Sequence, residues 1–250
     1  MHASSILLFA LSVASGVSAH GKVTVVTGDQ GGNGTALGIL GDVVARFGAN
    51  SATEKDTTVF DGSAKKPLTD GLGKTTANGD LKVSDLAQAV ALSGSTLPQV
   101  SADGTGTISG TWRIVTSDGT ANNEDGDLFA VVDETGTGTY SNGTLLTATS
   151  SMVGKNGNVV QRAVGRALKA VGITKRATNV GADVSFSVQI PSGLTCTGSD
   201  STSGLSNFCL LKIANNNGNG PFGGNVAFQI AGASTAATST KAKRSVPFKA

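Results

Sequence analysis

The sequence predicts a mostly β protein, an immunoglobulin-like β-sandwich with one or two short helices in long loops. Two observations lead to this prediction. Apolar and polar residues alternate in several short segments, and Gly, Asn and Asp separate these segments. The composition agrees, because the chain has 35 Gly and only 4% aromatic residues. Such a mixture is typical of short strands joined by tight turns.

Seven segments are predicted to be strands. The alternation is clearest in DVSFSVQI (183–190) and TISGTWRIV (107–115), where Phe186, Val188 and Trp112 fall on the inward face. The other predicted strands are KVTVVT (22–27), LFAVVD (128–133), TLLTATS (144–150), FCLLKIA (208–214) and NVAFQIA (225–231).

Two segments have a helical period instead. SDLAQAVAL (84–92) begins with Ser84 as a predicted N-cap and Asp85 in the first turn. The segment at 158–173 carries an apolar stripe, and its Arg and Lys residues indicate a solvated helix face. We expect both helices to be inserted between strands.

The chain divides into three predicted parts. Residues 1–19 contain a short apolar run followed by small residues and are typical of a secretory signal peptide cleaved after Ala19. Residues 20–231 form a single domain, and residues 232–250 form a flexible basic tail. The sequence therefore predicts a secreted protein, extracellular or associated with the cell wall.

Charge and hydropathy exclude two classes of partner. The formal net charge is +2, and four of the basic residues lie in the predicted tail. The remaining 15 basic and 17 acidic residues leave −2, so no nucleic-acid-binding surface is predicted. The only long apolar run lies in the signal and is too short for a membrane span, which needs about 20 residues.

Two kinds of covalent modification are predicted. Cys196 and Cys209 are the only cysteines, and an even number in a secreted chain favours a disulfide between them. Asn33 and Asn142 each begin an Asn-Gly-Thr triplet, which is an acceptor for N-glycosylation.

Three blocks of sequence carry a family resemblance. These blocks are HGKVTVVTGDQGGNGTALGI, LPQVSADGTGTISGTWRIVTSDG and VQIPSGLTCTGSDSTSGLSNFCLLKIANNNGNGPFGGNVAFQI. Together they resemble the Egh-type fungal virulence-factor family, whose members include the appressorium-specific Gas and Mas cell-surface proteins. The similarity runs from His20 to about Ile230. The chain departs from the family pattern at NSATEKDTTVF, where relatives carry additional cysteines.

The resemblance implies a secreted fungal protein at the cell surface or wall of infection structures, and it implies no defined reaction. The main functional prediction is a non-catalytic binding or structural role, without a cofactor. The predicted partner is cell-wall polysaccharide or a host surface. Trp112 and Tyr140 are the only residues of their kinds, and Trp112 is predicted to be a core residue. Few aromatic residues are therefore available for stacking on sugars.

The alternative is a copper-binding protein that uses His20. The predicted mature start resembles that of lytic polysaccharide monooxygenases, which are secreted sandwiches that begin with His. His20 would supply its amine and an imidazole nitrogen to copper. Of the two histidines, His2 lies in the signal, so no second imidazole remains.

Other residues do not readily complete such a site. Arg113 stands where relatives often carry His, and a protonated guanidinium cannot ligate a metal. A carboxylate such as Asp29 or Asp103 is the predicted substitute. Acidic residues between 118 and 134 are dense enough for a weak calcium site or a carboxylate pair, although solvated acids are the simpler interpretation.

Overall fold

The structure is a computed structural model that describes residues 20–41, 44–45, 49–62, 66–94, 96–115, 128–150, 180–217 and 220–232. The mostly β class is confirmed. The predicted signal peptide, the predicted helix at 158–173 and nearly all of the predicted tail lie outside the described residues.

All seven predicted strands are present, together with shorter ones that the sequence did not reveal. The long strands are β1 (Gly21–Gly28), β7 (Thr107–Ile114), β8 (Leu128–Asp133), β9 (Thr144–Ser150), β10 (Asp183–Gln189), β12 (Leu205–Ala214) and β13 (Phe222–Ile230). The short strands are β2 (Gly31–Gly34), β3 (Thr58–Val59), β4 (Lys74–Thr75), β5 (Gly79–Asp80), β6 (Gln99–Val100) and β11 (Gly198–Asp200).

The strands form a single curled sheet. Its order is β2-β1-β7-β10-β9-β8-β12-β13-β3-β4-β5, and neighbours on this path are antiparallel. β6 pairs in parallel with the end of β13, and its Gln99 carbonyl also accepts the backbone N–H of Gln30, just after β1. β6 therefore bridges two distant parts of the path. The two layers of the predicted sandwich are two halves of one sheet.

The two halves meet closely where β1 crosses β13. A Cβ added at Gly224 of β13 would lie 2.5 Å from the Ala36 Cβ and 3.4 Å from the Val23 Cβ. Only glycine therefore fits at Gly224 without displacing its neighbours.

The main core fills the interior of the curl. Trp112, Ile108, Val188, Val226 and Phe228 are fully buried there, alongside other apolar side chains from all seven long strands. The predicted inward faces of β7 and β10 are confirmed, because the alternating residues between them are exposed or half-buried.

A second core lies against the opposite face of β8, β12 and β13. Phe208, Leu210 and Val131 pack there against Tyr140 and Leu86, together with Leu37, Leu72, Leu81, Ala89, Leu97 and Ala227. β12 and β13 are therefore buried on both faces, which explains why their sequences are nearly continuously apolar.

The predicted first helix is present but begins earlier than expected. A 3₁₀ turn at Val83–Asp85 leads into α2 at Leu86–Ser93, and a four-residue helix α1 lies at Asn50–Thr53. The prediction that Ser84 is the N-cap was wrong. The N-cap is Lys82, whose backbone N–H donates to the Asp85 carboxylate at 2.8 Å. Asp85 therefore stabilises the first turn from inside it.

The two cysteines are joined. Cys196 precedes β11, Cys209 lies in β12, and their disulfide closes a loop with a sequence separation of 13. Within the described residues, no helix has the length and apolar character needed to cross a bilayer.

Candidate functional site: the outer face of β1, β7, β10 and β9

The outer side of four neighbouring strands carries hydroxyl groups. Because side chains alternate along a strand, the residues between the buried ones point away from the core. We call this surface the hydroxyl face and define it by Thr27 of β1, Ser109 and Thr111 of β7, Thr149 of β9, and Ser185 and Ser187 of β10.

The hydroxyl face is shallowly concave. A cavity of about 640 Å³ lies over it, and Val25 contributes an apolar side chain between the hydroxyls. Val25 is 51% exposed. In the described part of the chain, none of the residues that line this cavity is charged. The surface therefore suits a neutral ligand with many hydroxyl groups.

A charged cluster lies at one end of this face. His20 and Lys22, two residues apart at the start of β1, meet Glu54 and Asp56, two residues apart after α1. We call these four residues the amino-terminal cluster. The Lys22 ammonium donates to Asp56 Oδ1 at 2.6 Å, and Asp56 Oδ2 accepts the Leu40 backbone N–H. These contacts join β1 to a segment more than 30 residues away in the sequence.

His20 is largely buried within the cluster. Its Nδ1 lies 3.0 Å from Glu54 Oε1, and its ring meets the Phe222 ring edge-on with 3.8 Å between centroids. The His20 carbonyl accepts the Val115 backbone N–H. Burial lowers the pKa of His20 to about 4, so the imidazole is neutral near pH 7.

Arg113 lies beside this cluster on the same face. It stands opposite Lys22 across the β1–β7 ladder and forms a bidentate pair with Asp183, in which both N–O distances are 2.7 Å. Its hydrogen bond to Asp183 raises the pKa of Arg113, and the nearby Asp56 charge acts in the same direction. A permanent cation therefore lies beside the amino-terminal cluster.

The structure excludes Asp29 and Asp103 as carboxylate ligands that could complete a metal site with His20. Asp29 follows the far end of β1, which is about 23 Å long at ~3.3 Å per residue, and it accepts the Ser101 and Thr107 backbone N–H groups. At that same end, the Asp103 carboxylate accepts hydrogen bonds from the Ser101 hydroxyl and the Thr105 backbone N–H. Neither reaches His20, so this prediction was wrong. Among the described residues, no group of three or more His, Cys, Asp or Glu side chains is arranged to hold a metal.

The predicted glycosylation residues lie on the surface. Asn33 is exposed in β2, and Asn142 is exposed at the end of the 3₁₀ turn Tyr140–Asn142. Thr144, the third residue of the second triplet, is also exposed, whereas Thr35 of the first is buried.

The predicted acidic region is only partly described, because residues 116–127 lie outside the described residues. Asp133 is buried and forms hydrogen bonds with its own loop. Its carboxylate accepts the backbone N–H groups of Thr135, Thr137, Gly138 and Thr139. A second cavity of about 460 Å³ lies beside this loop. Asp133 therefore organises a turn.

The single Trp and the single Tyr of the chain offer no exposed surface on which a sugar ring could stack. Trp112 and Tyr140 are both fully buried, and the Tyr140 hydroxyl donates to Asn225 Oδ1 at 2.8 Å. Any recognition of sugar by the hydroxyl face therefore depends on hydrogen bonds and small apolar contacts.

Sequence reasoning did not find Lys22, Glu54 or Asp56. The only signal was a Lys inside the apolar strand KVTVVT, which an exposed edge position also explains. The hydroxyl face was visible only as the polar half of each alternating strand.

Comparisons of the sequence with known proteins identify a family and a relative. A family model described as Egh16-like virulence factor matches residues 18–223. The chain is 27% identical over 236 residues to a protein named appressoria-specific virulence factor GAS1 from Pyricularia oryzae, covering 94% of this chain and 81% of that protein. No solved structure matches the chain. Because the family model covers most of its length, the chain belongs to the Egh16-like virulence factor family.

Proposed function

We propose that this protein is secreted and acts at the cell surface or wall of infection structures by binding polysaccharide, without catalysing a reaction. Family membership and the appressorial relative support the setting. The disulfide is consistent with an extracellular protein. The observation that carries the binding role is the uncharged, hydroxyl-lined cavity over β1, β7, β10 and β9.

The chemistry of the hydroxyl face favours a neutral glycan. Serine and threonine hydroxyls both donate and accept hydrogen bonds, as sugar hydroxyls do. The face spans four strands, about 14 Å across at ~4.8 Å per strand. These residues offer no opposite charge to a charged ligand. An extended wall polysaccharide, such as chitin or glucan, matches this surface in polarity and shape.

The test is retention of the secreted protein on insoluble chitin, β-glucan and cellulose. We expect retention on at least one polymer, and we expect Ser109→Glu to abolish it. Ser109 is exposed in β7 at the floor of the cavity, so the longer charged side chain fills and charges the face. Circular dichroism checks that the variant is folded.

The matched control is Ser201→Glu, which adds the same charge at an exposed turn between β11 and β12. It is expected to bind like the unchanged protein. Absence of retention on all three polymers, or equal retention of both variants, would contradict the proposed role.

A further inference from the structure

His20 and Glu54 bring two good metal donors together. His20 Nδ1 and Glu54 Oε1 are 3.0 Å apart, and both side chains are mostly buried, with exposed fractions of 10% and 16%. Bonds from such atoms to a divalent first-row ion are about 2.0–2.1 Å long. Two donors 3.0 Å apart then subtend an angle of roughly 95° at a shared ion. They therefore suit adjacent corners of a square-planar site.

The third donor comes from the backbone of His20. When His20 is the first residue of the secreted chain, its backbone nitrogen is an amine, and the amine and Nδ1 of one histidine can bind the same ion as a chelate. This arrangement has two nitrogens and one carboxylate oxygen. Tetragonal coordination by nitrogen and oxygen is typical of Cu(II), which also binds such donors most tightly in the divalent series.

We propose that the amino-terminal cluster is a copper(II) site formed by the amine and Nδ1 of His20 and by Oε1 of Glu54. Asp56 does not share this role, because Lys22 and the Leu40 backbone N–H already hold its two oxygens. The site lies at the charged end of the hydroxyl face. It is independent of polysaccharide binding, and no redox step is assigned to it.

The experiment uses the full secreted chain, stripped with a chelator, after its intact mass has shown the first residue. Cu(II) is titrated by calorimetry, and the complex is examined by electron paramagnetic resonance. We expect one ion per chain and hyperfine splitting from two directly bonded nitrogens. A mass that shows another first residue, or an absence of binding, overturns the proposal.

Two variants test the amine ligand and the carboxylate ligand separately. One chain carries the four-residue extension Ser-Ser-Ser-Pro before His20, which converts the amine to an amide and changes no other side chain. An extension of one or two residues is avoided, because its own amine, the amide nitrogens and the imidazole would form a new copper chelate. The other is Glu54→Gln, which keeps the shape of the side chain. Each is expected to weaken copper binding at least about tenfold, as loss of metal-supporting groups usually does. Asp103→Asn is the control, because Asp103 lies at the far end of β1, and its affinity should be unchanged.

Equal copper affinity in the extended and natural chains contradicts the amine ligand. An affinity of Glu54→Gln within twofold of the unchanged protein contradicts the carboxylate ligand. Either result overturns the site as proposed. Because the extension leaves the cluster's side chains unchanged, it remains informative even if Glu54→Gln folds poorly.

Discussion

Asp133 shows how one side chain fixes a loop. Burial alone would raise the pKa of this carboxyl. The hydrogen bonds from Thr135, Gly138 and Thr137 outweigh burial and hold the pKa below its ordinary value. The ionised form is therefore the one that the fold selects.

Asp133→Asn is expected to lower the free energy of unfolding by about 2–4 kcal/mol at pH 7, because an amide NH₂ then faces backbone donors. The folded pKa lies below the unfolded one, so this contribution is present above about pH 4 and is lost as the pH falls. Urea unfolding at pH 7 and pH 3 measures both effects. A variant as stable as the unchanged protein at pH 7 would contradict this account.

At the scale of single elements, β12 is buried along most of its length, and it carries a buried charge. Lys212 donates to the Thr69 carbonyl at 2.6 Å, and its ammonium lies 4.4 Å from the centre of the Tyr140 ring. Burial lowers the pKa of Lys212 to about 8, and the Asp70 charge partly opposes this change. The amine links the sheet to the loop at 66–71.

Lys212→Met is expected to change the pH dependence of stability. The folded pKa of Lys212 lies below the unfolded value, so the unfolded chain binds more protons between about pH 8 and 10.5. The unchanged protein should gain about 2 kcal/mol between pH 7.5 and 9.5, since one pKa unit equals about 1.4 kcal/mol. The variant should gain much less. Parallel curves for the two proteins, measured by urea unfolding, would exclude this role for Lys212.

The local periodicity of the sequence predicted the long strands and their buried faces. It did not predict which side chains pair with each other across the fold. The alternation around Trp112 and Phe186 identified β7 and β10 and their buried sides. The short strands β3 to β6 contain two residues each and leave no periodic signal. Glu54 and Asp56 escaped prediction because their partners are set by the curl of the whole sheet and not by neighbouring sequence.

For the molecule as a whole, the disulfide ties the β11 hairpin to the core, because Cys209 is fully buried in β12. The pair was predictable from the cysteine count, whereas its position in the main core was not. A closed loop of this size stabilises a protein by about 3 kcal/mol, mainly by restricting the unfolded chain.

Replacing both cysteines, as Cys196→Ala with Cys209→Ala, is therefore expected to lower the free energy of unfolding by about 3 kcal/mol. Chemical denaturation under non-reducing conditions measures the change. The unchanged protein treated with a reductant serves as the control, since it loses the bond but keeps both sulfurs. An unaltered denaturation midpoint in the double variant would show that the bond adds no stability.

The burial of Trp112 has a practical consequence. The chain has one tryptophan, and a Cβ added at the adjacent Gly21 of β1 would overlap its indole. When the excitation wavelength is too long for Tyr140 to absorb, the intrinsic emission of this protein therefore comes from the single indole packed under β1. The wavelength and intensity of this emission report whether β1 is packed against the core, and the measurement needs no attached dye.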